Sequence, residues 1–150
     1  MRKSFILVLL FVLSARVLLA QQITLHVETA GTLSSMIAES KKDVITDLKL
    51  TGNINSSDLY FLRKSMTKLE NLDLKDIVLY DFDISNSFLV PTTTLHDYAF
   101  YQMYSLKHIA LPVNITSIDT GAFDGCNNLE SIEIPNNVTE IGNHAFEGCI

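Results

Sequence analysis

The chain has 150 residues, of which 47% are hydrophobic, and this length allows one domain. Acidic side chains outnumber basic ones by 17 to 11, which gives a formal net charge of -6. A negative chain repels phosphate backbones and anionic lipid surfaces, so we expect neither nucleic acid nor a membrane surface as a partner.

Residues 1–20 have the pattern of a secretory signal peptide. Arg2 and Lys3 precede an uncharged apolar run from Phe5 to Ala15, and Ala20 stands before two glutamines. The run is shorter than the ~20 residues that a membrane-spanning helix needs, which favours a cleaved signal over a permanent anchor. We therefore predict a secreted or surface protein with no membrane span after cleavage, cut after Ala20 or, alternatively, after Ala15.

Loss of residues 1–20 would also change the charge and the mode of anchoring. It would leave 8 basic against 17 acidic side chains. Basic partners or divalent cations would then be favoured, although acidity more often serves solubility. No cysteine lies near the predicted cleavage position, so we expect no lipid anchor there.

Residues 21–43 are interpreted as an N-terminal cap made of one strand and one helix. The segment Gln22–Thr29 alternates as a half-buried strand should, with an apolar side formed by Ile23, Leu25 and Val27. Thr32 is predicted to cap a helix that continues to Lys42. The face of that helix expected to be buried consists of Leu33, Met36 and Ile37.

Residues 44–94 are predicted to contain two loose leucine-rich turns and an insertion. A triplet of apolar residues recurs at a step of 24, first as Ile45, Leu48 and Leu50 and then as Leu69, Leu72 and Leu74. This spacing predicts a strand in each turn, the first ending at Gly52. A helix starting at Ser57 and Asp58 is expected between them, with a buried face formed by Leu59, Leu62 and Met66.

The insertion lies between the second and third leucine-rich strands. The step from Leu74 to the equivalent Leu111 is 37, whereas the later period is 23, so this turn is longer than the others. We assign the surplus to a surface loop, Lys75–Thr94, in which Ile77–Phe82 resembles a strand, whereas Pro91 and Thr92–Thr94 suggest a loop. Long loops of repeat proteins often bind partners.

Residues 95–150 repeat with a fixed period. Leu95, Ile118 and Ile141 follow one another at a step of 23, and so do the three phenylalanines Phe100, Phe123 and Phe146. A single turn buries too little apolar surface to offset its conformational entropy, so the turns must stack and the phenylalanines should form a column. The last copy stops at Cys149 and Ile150. We therefore expect the N-terminal part of a longer protein, without a C-terminal cap and prone to self-association through its open end.

The repeated pattern also resembles a known family. Isoleucine, three variable residues, Ala-Phe, two variable residues, Cys, two variable residues, Leu and then Ile-x-Ile-Pro run from Ile118 to Pro135, and a second copy begins at Ile141. The pattern resembles the BspA-like leucine-rich repeats of surface proteins from oral and gut bacteria, although Met103 replaces the usual cysteine in the first copy. The resemblance implies an α/β solenoid, a right-handed leucine-rich repeat superhelix with short strands on its concave side, and it implies extracellular recognition or adhesion.

Alternation within the strands predicts which residues face outward. One side of each strand varies between turns while the apolar side does not, which separates a candidate contact surface from the scaffold. The predicted concave-face binding residues are Asp47, Lys49, Asn71, Asp73, His108, Ala110, Ser131 and Glu133.

The two cysteines occupy the same position in successive turns. Strands stacked about 4.8 Å apart would allow a Cys126–Cys149 disulfide, and export would permit its oxidation. Met103 holds the same position one turn earlier, which indicates a requirement for a mid-sized apolar side chain. Two buried thiols are therefore favoured over a disulfide.

Two short motifs point to chemistry, and both are of low specificity. Asp119-Thr120-Gly121 has the letters of an aspartic protease loop, but its position aligns with the variable turn before Ala-Phe in the other copies. Asp81, Asp83 and Ser85 begin like a calcium loop, but Asn86 stands where that loop needs glycine. The four histidines fall at unrelated phases of the repeat, so we predict no catalytic residue, no metal site and no cofactor.

The sequence thus predicts a non-catalytic binding module for a protein or glycan, with host extracellular proteins among the candidate partners. A passive spacer within a larger surface protein is the alternative, and a hydrolase is a remote one. Three tripeptides have the form of sugar-acceptor sites, at Asn55, Asn114 and Asn137.

Overall fold

The computed structural model describes residues 22–150, so the predicted signal peptide lies outside the described residues. The chain alternates strands with helices or turns. Its elements are β1 (Ile23–Val27), α1 (Leu33–Met36), β2 (Asp47–Asn55), α2 (Ser56–Ser65), β3 (Asn71–Asp83), β4 (Phe88–Thr92), β5 (Thr94–Leu95), β6 (His108–Ala110), β7 (Ser117–Ile118), β8 (Ser131–Glu133) and β9 (Glu140–Ile141). Across residues 22–150, no helix has the length and apolar character needed to cross a membrane.

The main sheet is built from parallel strands in the order β1-β2-β3-β6-β8. Its register places Leu48, Leu72, Ile109 and Ile132 side by side, one from each successive turn. The strands that the leucine-rich spacing predicted, which carry the eight outward-facing candidate residues, are confirmed as β2, β3, β6 and β8. Parallel strands of successive turns, joined by helices or tight turns, form the solenoid-like repeat fold that the period indicated.

A second ladder of short parallel strands, which the sequence did not predict, links the 23-residue turns. It has the order β5-β7-β9. Leu95 pairs with Ile118 and Ile118 pairs with Ile141, so the apolar residues that open each copy lie in register. The periodicity therefore fixes two rows of strand pairing on different edges of each turn.

The phenylalanine column is confirmed. The Phe100 and Phe123 ring centroids are 5.2 Å apart and those of Phe123 and Phe146 are 5.3 Å apart, with stacked planes. Phe100 and Phe123 are fully buried, whereas Phe146 in the last turn is only partly buried. Each turn thus contributes one ring to a core that its neighbours complete.

Two backbone positions in every 23-residue turn adopt left-handed φ. Tyr98, Gly121 and His144 share the first position, and the second is shared by Gln102, Gly125 and Gly148. In the first two turns, backbone N–H groups at and between these positions donate to carbonyls of the following turn. Examples are Tyr98 to Thr120 at 3.0 Å and Phe123 to Ala145 at 2.8 Å. Glycine suits these positions because it lacks a Cβ.

The N-terminal segment follows the predicted strand but not the predicted helix. Val27 is buried in β1, and Ile23 and Leu25 pack against the core. The helix expected from Thr32 to Lys42 is wrong in length, because α1 ends at Met36 and the chain is extended at Ile37 before a short 3-10 turn, Glu39–Lys41. The extended backbone brings Ile37 into the core and leaves Met36 at 40% exposure.

Strand β2 does not end at Gly52. Gly52 has φ of +86°, and a Cβ there would lie 2.4 Å from the Val27 carbonyl oxygen, so glycine allows β1 to approach while the strand continues to Asn55. Asn55, rather than Ser57, caps α2. Its side chain accepts hydrogen bonds from the Ser57 and Asp58 N–H groups in a capping box.

The insertion is a β-hairpin rather than a loop. Strand β3 continues through the predicted run Ile77–Phe82, and β4 pairs with it antiparallel, with Pro91 opposite Tyr80. Strand β4 pairs only with β3 among the described strands, and an edge strand tolerates proline because that residue has no N–H to donate. The prediction that Pro91 marks a loop is therefore wrong.

Candidate functional site

The predicted binding residues lie in two rows across one side of the main sheet, here called the sheet face. Parallel pairing places residues at the same register side by side. The first row contains Asp47, Asn71, His108 and Ser131, and the second contains Lys49, Asp73, Ala110 and Glu133. The structure thus brings together all eight residues that alternation selected.

The first row is held by contacts between neighbouring strands. The Asn71 side-chain amide donates to Asp47 Oδ1 at 2.7 Å. A hydrogen bond of 2.8 Å joins His108 Nδ1 to Ser131 Oγ, and His108 Nε2 lies 3.8 Å from Glu130 Oε2. The sheet therefore presents these polar groups in fixed relative positions, with His108 and Ser131 exposed.

A β-bulge adds a residue that sequence reasoning missed. The register between β2 and β3 shifts after Lys49, so that Thr51 pairs with Asp76. Lys49 Nζ consequently lies 2.6 Å from Asp76 and 3.2 Å from Asp73. A bulge redirects side chains in this way, and strict alternation does not foresee it.

Lys75 reaches from β3 to β8. Its Nζ lies 2.6 Å from Glu133 Oε2, and the intervening strand β6 carries Ala110 between them. Ala110 is only 8% exposed, so its prediction as a contact residue is wrong. A shallow depression of about 170 Å³ is formed here by residues of β3, β6 and β8.

The ion pairs shift the pKa values of the sheet face. Partial burial alone would raise the pKa of Asp73, but hydrogen bonds from the Lys75 N–H and the Lys49 ammonium hold that pKa below its usual value. Hydrogen bonds to Asp76 and then Asp73 raise the pKa of Lys49, and Glu133 raises the pKa of Lys75. These lysines and Asp73 are therefore charged at neutral pH.

The tip of the hairpin β3–β4 exposes large apolar side chains. Phe82 is 56% exposed, Ile84 is 86% exposed and Phe88 is 54% exposed. Next to them, the Asp83 carboxylate accepts hydrogen bonds from the Ser85 and Asn86 N–H groups and from the Asn86 amide. These hydrogen bonds, above all the one from the Asn86 amide, lower the pKa of Asp83. They also form the turn, so the Asp83 carboxylate stabilises the tip of the hairpin.

The protease-like tripeptide lies in the turn after β7. Asp119 accepts a hydrogen bond from Ser117 Oγ, and its other oxygen lies 3.9 Å from His96 Nδ1. His96 Nε2 in turn lies 3.2 Å from Asp81 of the hairpin. An aspartic protease needs two carboxylates that share a proton, whereas the nearest partners of Asp119 are a serine and a histidine. No group of three or more His, Cys, Asp or Glu suited to a metal occurs within residues 22–150.

Both cysteines are free thiols that hydrogen-bond to the preceding turn. Cys126 Sγ donates to the Phe100 carbonyl at 3.1 Å, and Cys149 Sγ donates to the Phe123 carbonyl at 3.3 Å. Burial raises the pKa of Cys126 to about 12. Met103, at the equivalent position of the first copy, has helix α2 before it instead of another 23-residue turn.

The stacked apolar rungs and parallel strands are typical of leucine-rich repeats. Residues 93–150 match the family model described as the BspA type leucine rich repeat region (6 copies). This segment is therefore similar to BspA-type leucine-rich repeats, a family that suggests a repeat module for interaction with other proteins. No curated protein matches the chain.

Proposed function

We propose that this protein is an exported, non-catalytic adhesion module that recognises another protein through its sheet face. The observation that carries the proposal is the pair of in-register polar rows, which change from turn to turn above an apolar core that repeats. Ion pairs and hydrogen bonds between neighbouring strands preorganise the face, and a preorganised surface loses less entropy when a partner binds.

The hairpin tip extends the proposed contact surface. Its exposed Phe82 and Phe88 supply the aromatic contacts that often dominate the energy of protein interfaces, and the sheet face supplies polar complementarity. Residues 76–150 contain ten acidic side chains and Lys107 as their only lysine or arginine. The preferred partner is therefore a basic extracellular protein.

Export and surface location rest on two supports. Residues 1–20 have the pattern of a secretory signal peptide, and BspA-type repeat regions are typically surface-associated. Growth of a strain that expresses the full chain, followed by fractionation, tests this. Recovery of the protein in the cytoplasm with residues 1–20 intact would refute export.

Substitution of the sheet face tests the binding role. The triple variant Asp73→Asn, His108→Asn and Glu133→Gln should weaken adhesion to immobilised extracellular matrix proteins by about tenfold or more, because central polar contacts are lost. The control Asp43→Asn, His144→Asn and Glu147→Gln makes the same change in formal charge away from the sheet face and should bind as wild type.

The spacer alternative makes the opposite prediction. A passive structural element would retain the same behaviour in both triple variants. Equal adhesion of the sheet-face triple and the wild type, with unfolding curves that show both to be folded, would therefore overturn the binding proposal.

A further inference from the structure

Helix α2 and the first 23-residue turn form a surface groove between them, away from the sheet-face rows. Arg63, Asp97, Tyr98, Tyr101 and Asp124 line an open depression of about 580 Å³, and a neighbouring depression that shares three of these residues adds Tyr60. We call these six residues the tyrosine groove. Three of the five tyrosines in the sequence therefore lie at this one place.

Tyr60 and Tyr98 of the groove are exposed, and Tyr101 is half-buried. Tyr98 and Tyr101 meet edge to face, with centroids 5.5 Å apart and planes at 81°. Tyr60 is 56% exposed, and the Arg63 guanidinium lies 5.4 Å from its ring centroid. Arg63 Nη1 also donates to the Tyr98 carbonyl at 2.5 Å, which joins the helix to the turn.

Tyr98 occupies a left-handed position that is filled by glycine in the next turn and by His144 in the last. Its φ is 55°, and the equivalent residue of the next turn is Gly121, over which the Tyr98 ring lies. A bulky residue with left-handed φ is unusual and costs about 1 kcal/mol or more. Tyr98 is 44% exposed, so its ring does not repay this cost by burial in the core. A tyrosine in this conformation is expected where its ring contacts a ligand.

The polar groups of the groove have unused hydrogen-bonding capacity. Among residues 22–150, the Asp124 carboxylate has no hydrogen bond or ion pair, and neither do the hydroxyls of Tyr60, Tyr98 and Tyr101. Asp97 uses Oδ1 to accept from the Thr120 N–H at 3.0 Å, which leaves Oδ2 free. The groove therefore offers carboxylate acceptors and phenolic donors beside flat ring faces.

We infer that the tyrosine groove is a binding site for an uncharged saccharide. A sugar ring presents a C–H face that packs on the electron-rich face of an aromatic ring, and hydroxyls at its edge that donate to carboxylates. Asp97 and Asp124 outnumber Arg63, so the groove repels anionic sugars. Uncharged hexose chains satisfy the rings and the hydrogen-bonding groups together.

Affinity electrophoresis of the full chain tests this site. Native gels would contain laminarin, dextran, xyloglucan or galactomannan as neutral probes, polygalacturonate as an anionic probe and chitosan as a cationic probe. Retardation by at least one neutral polysaccharide is expected. The assignment would be overturned if no neutral probe retarded the protein. Retardation by chitosan alone or by polygalacturonate alone would also overturn it.

Two variants separate binding from folding. Tyr98→Gly removes the ring but suits the left-handed backbone, so it should weaken retardation by about tenfold without lowering the urea midpoint. Asp124→Asn preserves shape and should weaken binding by about threefold or more. Tyr104→Ser removes a tyrosine of similar exposure outside the groove and should bind as wild type. Wild-type binding by both groove variants would contradict the site.

Discussion

At the scale of single residues, the most consequential side chain is Asp58. It is 1% exposed, and its carboxylate accepts hydrogen bonds from the Gly31, Leu33 and Asn55 N–H groups at 2.6, 2.9 and 3.1 Å. It therefore joins the turn before α1, the start of α1 and the start of α2. A buried carboxylate persists only when its oxygens are satisfied in this way.

Removal of this carboxylate should destabilise the protein. We expect Asp58→Ala to lower the free energy of unfolding by about 3 kcal/mol, since three buried N–H groups lose their acceptor. Urea denaturation followed by circular dichroism measures the change. Asp43→Asn, an exposed control, should change stability by less than about 0.5 kcal/mol, and an equally small effect at Asp58 would contradict the assigned role.

The two thiols should differ in reactivity. Burial raises the pKa of both, to about 12 for Cys126, and only the thiolate reacts with iodoacetamide. In the native protein at about pH 8, Cys149 should be alkylated before Cys126, which mass spectrometry of peptides resolves. Because the folded pKa of Cys126 is raised, its contribution to stability is complete below the unfolded pKa of about 8.5 and is lost as pH rises toward about 12. Equal alkylation rates for Cys126 and Cys149 would refute the predicted difference in reactivity.

At the scale of elements, a single bulge in β3 organises the polar side of the sheet. The extra residue turns Asp76 toward Lys49 and places Lys75 where it reaches Glu133 across β6. Strand β3 then continues past the bulge into the hairpin with β4. One irregularity thus brings two acidic side chains, Asp73 and Asp76, within reach of Lys49.

The acid sensitivity of this element follows from Asp73. Its pKa is lowered in the folded protein, so its contribution to stability is present above the unfolded pKa of about 3.9 and is lost as pH falls through the folded pKa. Urea midpoints measured between about pH 2.5 and 6 should fall less steeply for Asp73→Asn than for wild type. Parallel curves for the two proteins would show that the Lys49 and Lys75 contacts do not stabilise the fold.

At the scale of the whole molecule, stability depends on stacking. Each 23-residue turn that is followed by another donates N–H groups to it, and every turn contributes one phenylalanine to the column. A ring between two neighbours is packed on both faces, whereas Phe146 has a described neighbour on one face only. Substitution effects should therefore depend on position in the stack.

This dependence can be measured with equivalent substitutions. Phe123→Ala should lower the free energy of unfolding by about 3–5 kcal/mol because it leaves a cavity in the middle of the column. Phe146→Ala should have a smaller effect, because Phe146 is already partly exposed. Urea unfolding of both variants gives the comparison, and equal losses would mean that the turns do not depend on one another.

Sequence reasoning recovered the parts of the fold that a period or an alternation encodes. Spacing predicted the phenylalanine column and the strands β2, β3, β6 and β8 of the main sheet. It also predicted that the eight candidate site residues lie on one side of that sheet. It failed where a local contact overrode the pattern, as in the short α1 helix, the passage of β2 through Gly52 and the burial of Ala110. It also gave no indication of the tyrosine groove, since Tyr60 and Tyr98 are distant in the chain.

The sequence by itself determined that the chain stacks in turns, because apolar side chains that recur at a fixed period can be buried only against copies of themselves. Tertiary structure decided which charged and aromatic groups meet. Lys75 with Glu133, and Arg63 with Tyr98, are far apart in the sequence, and their contacts depend on a bulge and on how a helix packs against the following turn. Such contacts are set by the folded backbone, and no local pattern of residue types encodes them.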